Sequence, residues 1–365
     1  MQHDLGQLLI LGVDELRWDS ALERSLRSLR PGGVLINATL TGGAGKVSEF
    51  LFKVASTLSA VPLLAVREEG GAMDPLGTFL PPLPSPRAVA KTGIAAVRRL
   101  GELVGGALQL LGFNSDFALL LDLATPGSDQ AERAFSPDPQ QVAKCGAAFV
   151  EGLERHHVLA CGKHFPGLAG VQSSSATEAP VVSKSMAELW RQDLVPYRTL
   201  LPHLPLVLVS TAAYKAYDFD LLLSAGLSSK VVEGLLRVKL GYDGVAIAYG
   251  LETEAVRGTL TLEEAAVQAV CAQCDMLLVQ EAGAAERALA ALCAARESGK
   301  LPIPRVEQAL ERIPSAKKGL KPPAGKLSRR SLDRLVRKFT NFSNDFRGCG
   351  KIGNANSELQ VTTPR

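Results

Sequence analysis

Val158-Leu159-Ala160-Cys161-Gly162-Lys163-His164-Phe165-Pro166-Gly167 is the stretch whose reading decides the fold. An uncharged, mostly apolar run goes straight into Lys-His and then into Pro-Gly. A run that does not alternate with polar residues suits a parallel strand buried on both faces. Pro166 and Gly167 then turn the chain sharply into a loop. Similar runs, rich in Val, Leu and Ile, recur at 33–37, 62–66, 117–123, 205–211, 244–250 and 276–280. Helical patterns fill the intervals at 16–29, 46–58, 87–111, 139–154, 186–201, 230–238, 262–272 and 284–297. Strand and helix alternating seven or eight times predict an α/β protein built as a single (β/α)8 TIM-type barrel. A doubly wound open sheet is the alternative. No GxGxxG or GxxxxGK[ST] follows any of the runs, and Gly42-Gly43-Ala44-Gly45-Lys46 lacks phosphate-loop spacing.

Composition agrees with this reading. The 365 residues suffice for one barrel or two smaller domains, with 46% hydrophobic and 21% charged residues. A net charge of +3 is too balanced to imply a nucleic-acid partner. No apolar run reaches the length of a membrane span, and no signal peptide is visible, so a cytoplasmic location is expected. Six cysteines are scattered along the chain. Cys271 and Cys274 form a CxxC with no second pair or His pair to complete a metal site, so reduced, mostly buried thiols are expected. His156-His157 precedes a strand, and neighbours on an extended chain point to opposite faces. No metal and no cofactor is called.

The barrel is assigned to residues 1–315 and a basic C-terminal extension to 316–365. The extension carries Lys317, Lys318, Lys321, Lys326, Arg329, Arg330, Arg334, Arg337 and Lys338. A helix is expected over 331–346, with Leu332, Leu335, Val336, Phe339 and Phe342 near one face. It either docks on the barrel with a solvated basic face or meets an anionic surface or protein partner. The tail from 348 onward is polar and expected to fray.

Barrel enzymes place their chemistry at the C-terminal ends of strands. Lys163 and His164 would stand there as donors toward an oxygen-rich ligand. This stretch resembles the KHFPG motif of glycoside hydrolase family 3, in its β-N-acetylhexosaminidase branch, and the resemblance extends over about residues 5–320. Arg30-Pro31-Gly32-Gly33-Val34 resembles the family's first strand. Glu69-Gly70-Gly71 resembles the DQEGGR turn. The segment from Gly112-Phe113-Asn114 through Asp122 resembles the N-x-D/N-F-A-P-V-x-D strand. Arg133-Ala134-Phe135 with Asp138-Pro139 resembles RSF…DP, and Leu240-Gly241-Tyr242-Asp243-Gly244-Val245 resembles LGFDGV. Trp190 falls in a segment similar to a family helix. It and Trp18 are read as helical packing residues.

The resemblance implies a retaining glycosidase acting on terminal N-acetylglucosamine, with a carboxylate nucleophile and a second group that protonates the leaving oxygen. The catalytic positions depart from it. Tyr249 and Gly250 stand where the branch has the two aspartates of S-D-D. Ala176 and Ser174 stand where it has the His and Asp of its acid/base loop. Arg67 replaces the Asp of DQEGGR, which accepts a sugar hydroxyl in the family; Ala72 replaces its Arg, and Thr211 a further His. Loss of a nucleophile or its partner costs about 10^4- to 10^6-fold in turnover. The expectation is a degenerate hydrolase-like barrel without catalytic activity. It would retain a cationic pocket for a sugar-like or anionic ligand, built from Lys163, His164, Arg133, Arg67 and Glu69, or serve through a partner. The alternative is an active β-glycosidase with non-standard residues, such as a Tyr249 nucleophile assisted by Glu252 or Glu254.

Overall fold

Eight parallel strands follow one another around a closed ring. They are β1 (Leu9–Val13), β2 (Gly33–Ile36), β3 (Leu63–Val66), β4 (Ser115–Leu120), β5 (Leu159–Phe165), β6 (Leu206–Val209), β7 (Val245–Ala248) and β8 (Met276–Val279). The computed structural model describes residues 2–346, apart from 38, 127, 129, 173–179, 220, 221, 258, 259 and 282. β1 closes the ring by pairing with β8 (Leu9 opposite Leu277) and with β2 (Ile10 opposite Gly33). The strands read as near-continuous apolar runs because their residues are buried on both sides, by the barrel interior and by the helices outside.

The start of the ring differs from the sequence expectation. Residues 30–34 lead into the second strand, not the first. The first strand, β1, follows only a one-turn helix (Gln2–Leu5) and a 3-10 turn (Gly6–Leu8), too short for a periodicity to mark its beginning. Caps adjust the helices too. Asp19 accepts the backbone N–H groups of Ala21 and Leu22, so the helix is Ser20–Leu29. Trp18 therefore lies before that helix, edge-on to Phe50 with ring centres 6.2 Å apart. The expected helix over 87–111 is two, Pro86–Thr92 and Ile94–Leu111. Gly93 separates them at φ 116, a conformation closed to most side chains. The 186–201 pattern likewise divides into Met186–Arg191 and Leu194–Leu200. His156 and His157 sit in a turn after Pro139–Glu154, with His157 at φ 54, rather than on extended chain.

Cys145, Cys161, Cys271, Cys274 and Cys293 are free thiols. Burial pushes the Cys274 thiol up to about 12, which suits a packing residue better than a redox pair. The C-terminal helix, Arg329–Asp345, packs against Ile94–Leu111 through Leu335, Phe339 and Phe342. The Ser343 hydroxyl donates to the Pro82 carbonyl at 2.7 Å and Arg99 pairs with Asp345 at 2.9 Å. Its apolar face is thus covered, while Arg330, Arg334 and Arg337 remain exposed. The tail beyond 346 lies outside the described residues. No helix of the described residues is long and apolar enough to cross a membrane.

Candidate functional site

The C-terminal ends of the strands converge on one mouth. Asn37 follows β2, Arg67-Glu68-Glu69 follow β3, Asp122 follows β4, Lys163 and His164 end β5, Thr211 follows β6 and Tyr249 follows β7. The turn after β3 depends on Gly70 and Gly71, at φ 83 and 61. A Cβ on Gly70 would lie 2.8 Å from the Pro84 carbonyl oxygen. This turn points Glu69 back into the barrel.

Glu69 is the electrostatic centre. Its carboxylate accepts both Arg133 Nε (2.7 Å) and Arg133 Nη2 (2.6 Å), the two-pronged geometry that a guanidinium fork favours. Lys163 Nζ lies 2.6 Å from Glu69 Oε1 and also donates to the Phe117 carbonyl at 2.7 Å. Lys163 is only 2% exposed. Burial acts to raise the Glu69 pKa, but the Lys163 charge and the Arg133 hydrogen bonds outweigh it and hold the carboxyl below its ordinary range. Lys163 and Arg133 thus share one anion, which the sequence reading did not anticipate.

His164 is oriented by a residue to which the sequence reading gave no role. Its Nδ1 lies 2.7 Å from Asp122 Oδ2, while Asp122 Oδ1 accepts the Leu168 N–H at 2.8 Å. Asp122 is buried. The His164 ring faces Tyr249, with centres 6.0 Å apart and planes at 31°. Burial pushes the Tyr249 hydroxyl up to about 12, against the effect of its hydrogen bond with Thr211. Glu252, named as a base for Tyr249, is tied elsewhere: its Oε1 accepts the N–H groups of Gln280 (2.6 Å) and Glu281 (3.2 Å). Glu254 has no described side chain, and the replaced positions Ser174 and Ala176 lie outside the described residues.

Arg67 is held differently. Its Nη1 donates to the neutral amide oxygen of Asn37 at 2.7 Å, and Asn37 in turn donates to Asp14 at 3.2 Å. Among the described residues no carboxylate forms an ion pair with Arg67.

Two further acids lie under the mouth. Glu68 accepts the N–H groups of Gly70 and Leu76, and burial raises its pKa well above the carboxylate range. Asp116 accepts the Glu68 N–H at 3.0 Å, and its Oδ2 has no partner among the described residues. Burial raises Asp116 to about 8. A carboxyl that keeps its proton when folded and loses it near pH 4 when unfolded makes stability fall as pH rises between those values. Asp116→Asn is expected to flatten that decline. Urea midpoints at pH 5 and pH 8 should differ less in the variant than in the native chain; an unchanged difference would refute a protonated Asp116.

The family model described as the Glycosyl hydrolase family 3 N terminal domain matches residues 1–316. The chain belongs to glycosyl hydrolase family 3. A β-hexosaminidase of Pseudomonas aeruginosa (strain PAO1) is 32% identical over 287 residues, spanning 75% of this chain and 83% of its own. Among solved structures, a family 3 β-N-acetylglucosaminidase from Paenibacillus sp. str. FPU-7 superposes with a TM-score of 0.81 at 26% identity. That match covers 94% of this chain and 68% of that one. A fungal multi-domain GH3 β-N-acetylglucosaminidase gives a TM-score of 0.87 at 25% identity, over 95% of this chain. This chain spans 42% of that larger protein. As a β-N-acetylhexosaminidase-like family 3 barrel, the chain gathers Lys163, His164, Arg133, Arg67, Glu69 and Tyr249 at one end. The peptide bonds Lys163-His164 and Phe165-Pro166 are cis.

Proposed function

We propose that this family 3 barrel binds a sugar-like ligand at its mouth without hydrolysing it. The observation that carries the reading is Tyr249, a neutral phenol at the end of β7, where the family resemblance expects a carboxylate. With a hydroxyl at about 12, on the order of one Tyr249 in 10^5 is ionised at neutral pH. Retaining hydrolysis needs a carboxylate or an equally activated nucleophile, and an acid across the bond. The described carboxylates near Tyr249 are occupied. Glu69 is held by Lys163 and Arg133, Asp122 by His164 and Leu168, and Glu252 by the chain after β8. The mouth keeps hydrogen-bonding groups and an aromatic pair, which suit binding.

The test is nitrophenol release from p-nitrophenyl N-acetyl-β-glucosaminide at high protein load. The native chain is expected to match the buffer blank. The double variant Tyr249→Asp with Ala176→His is expected to show clear release, having regained the two groups. Turnover by the native chain would overturn the proposal in favour of an active β-glycosidase with non-standard residues. Silence from both chains would overturn the binding half, because the pocket itself would no longer accept the sugar.

A further inference from the structure

We infer that the ligand of this mouth carries an anionic group and that Arg67 is the residue that receives it. The inference rests on the binding reading above and adds the ligand's chemical class.

Lys163 and Arg133 close on the single carboxylate of Glu69. His164 closes on Asp122. Arg67 is left over. Among the described residues, Tyr249, Glu69, Cys161 and Arg133 act most strongly on its charge. Tyr249 and Cys161 are neutral, since burial raises both. Glu69 is already shared by two other cations, and Arg133 repels. Asp14 is reached only through the Asn37 amide and lies in solvent. Asp116 and Glu68 lie beneath the mouth, where burial disfavours the charged form of both, and neither forms an ion pair with Arg67. Three basic side chains, Lys163, Arg133 and Arg67, therefore share the mouth with one carboxylate already ion-paired to two of them, with a His–Asp pair beside them.

A guanidinium stays protonated even when burial works against it. A partly enclosed cation without a counterion is unfavourable unless something supplies one. Among the described residues the Arg67 guanidinium makes one hydrogen bond, from Nη1 to Asn37, which leaves most of its N–H donors for a ligand. A planar fork with free donors matches a carboxylate or phosphate, each presenting two oxygens. Tyr249, which acts on the Arg67 charge and whose ring faces His164, offers an aromatic face for the body of the ligand. The fitting class is a small sugar-like molecule bearing a carboxylate or phosphate.

The test uses the full chain and three probes in calorimetric titration: N-acetylglucosamine, glucuronate and N-acetylglucosamine 6-phosphate. At least one anionic probe is expected to bind tenfold or more tightly than the neutral sugar, and the stronger of the two identifies carboxylate or phosphate as the recognised group. Arg67→Gln is expected to abolish that preference, and Arg67→Lys, which keeps the charge but loses the fork, to retain part of it. The thermal midpoint of ligand-free Arg67→Gln should equal or exceed that of the native chain, because the variant removes an unmatched cation. A purely structural Arg67 would instead lower it, overturning the assignment. Equal affinity for neutral and anionic probes would overturn the inference while leaving the non-hydrolytic reading intact. Anion preference surviving in Arg67→Gln would overturn the role of Arg67. Nitrophenol release by the native chain would overturn the non-hydrolytic reading alone, so the two failures are distinguishable.

Discussion

Glu69→Gln is expected to lower the unfolding free energy by roughly 3–5 kcal/mol, the usual cost of removing one partner from a buried ion pair. The reason is Lys163. Its ammonium is 2% exposed and would keep only uncharged acceptors, the Phe117 carbonyl and the new amide oxygen, with no counter-charge. Arg133 suffers less, since its side chain is 22% exposed and water can take over. The loss should be largely coupled. Lys163→Met in the Glu69→Gln background should recover much of it, so a double-mutant cycle in urea should deviate strongly from additivity. The pH dependence has a defined sign. The folded Glu69 carboxyl lies below its unfolded value, so its stabilisation is present above the ordinary carboxylate pKa and is lost as pH falls through the depressed folded one. Glu69→Gln should therefore remove part of the acid limb of the native stability curve. An additive cycle with an unchanged acid limb would contradict a Glu69-centred pair.

At the other end of the barrel, Asp275→Ala should destabilise on the order of 3–5 kcal/mol without changing the ligand affinity of the folded fraction. Asp275 is fully buried just before β8. Its own N–H donates to the Ala246 carbonyl at 2.8 Å and its carboxylate accepts the Ala246 N–H at 2.9 Å, tying β7 to β8. The same carboxylate receives Arg237, Arg305 Nη2 at 2.6 Å and Arg312 Nη1 at 3.3 Å. Arg305 and Arg312 lie on the helix Ile303–Ala316, and Arg237 on the helical segment Lys230–Lys239. One anion thus anchors two outer segments to two strands. Its removal leaves the Arg305 and Arg237 side chains, 4% and 8% exposed, without a counterion. Asp275→Asn keeps acceptor oxygen but loses charge, so its cost should be smaller. Equilibrium unfolding of the three chains should rank native, Asn, Ala. A weakened affinity in folded Asp275→Ala would show that the two ends of the barrel are coupled.

The alternation of apolar runs with helical patterns was enough to read the barrel from the chain. Element type depends on local periodicity and run length, both written in consecutive residues. The segment around Lys163-His164 and its companions were likewise enough to reach the family, because each is a contiguous motif. β1 escaped because five residues after a 3-10 turn carry no period, and the break at Gly93 escaped because a single glycine inside a long apolar pattern looks tolerated. The site was legible only as a set of positions. Read along the chain, Lys163, His164, Arg133 and Arg67 look like four cationic donors facing a ligand. Closure of the barrel brings Glu69 to Arg133 across 64 residues and Asp122 to His164 across 42, and finds no acid for Arg67 among the described residues. Strand and helix preference is a local property, so the sequence by itself determined the architecture. Which charge meets which, and which is left over, was decided only by the tertiary structure, because Coulomb pairing depends on distances that ring closure sets.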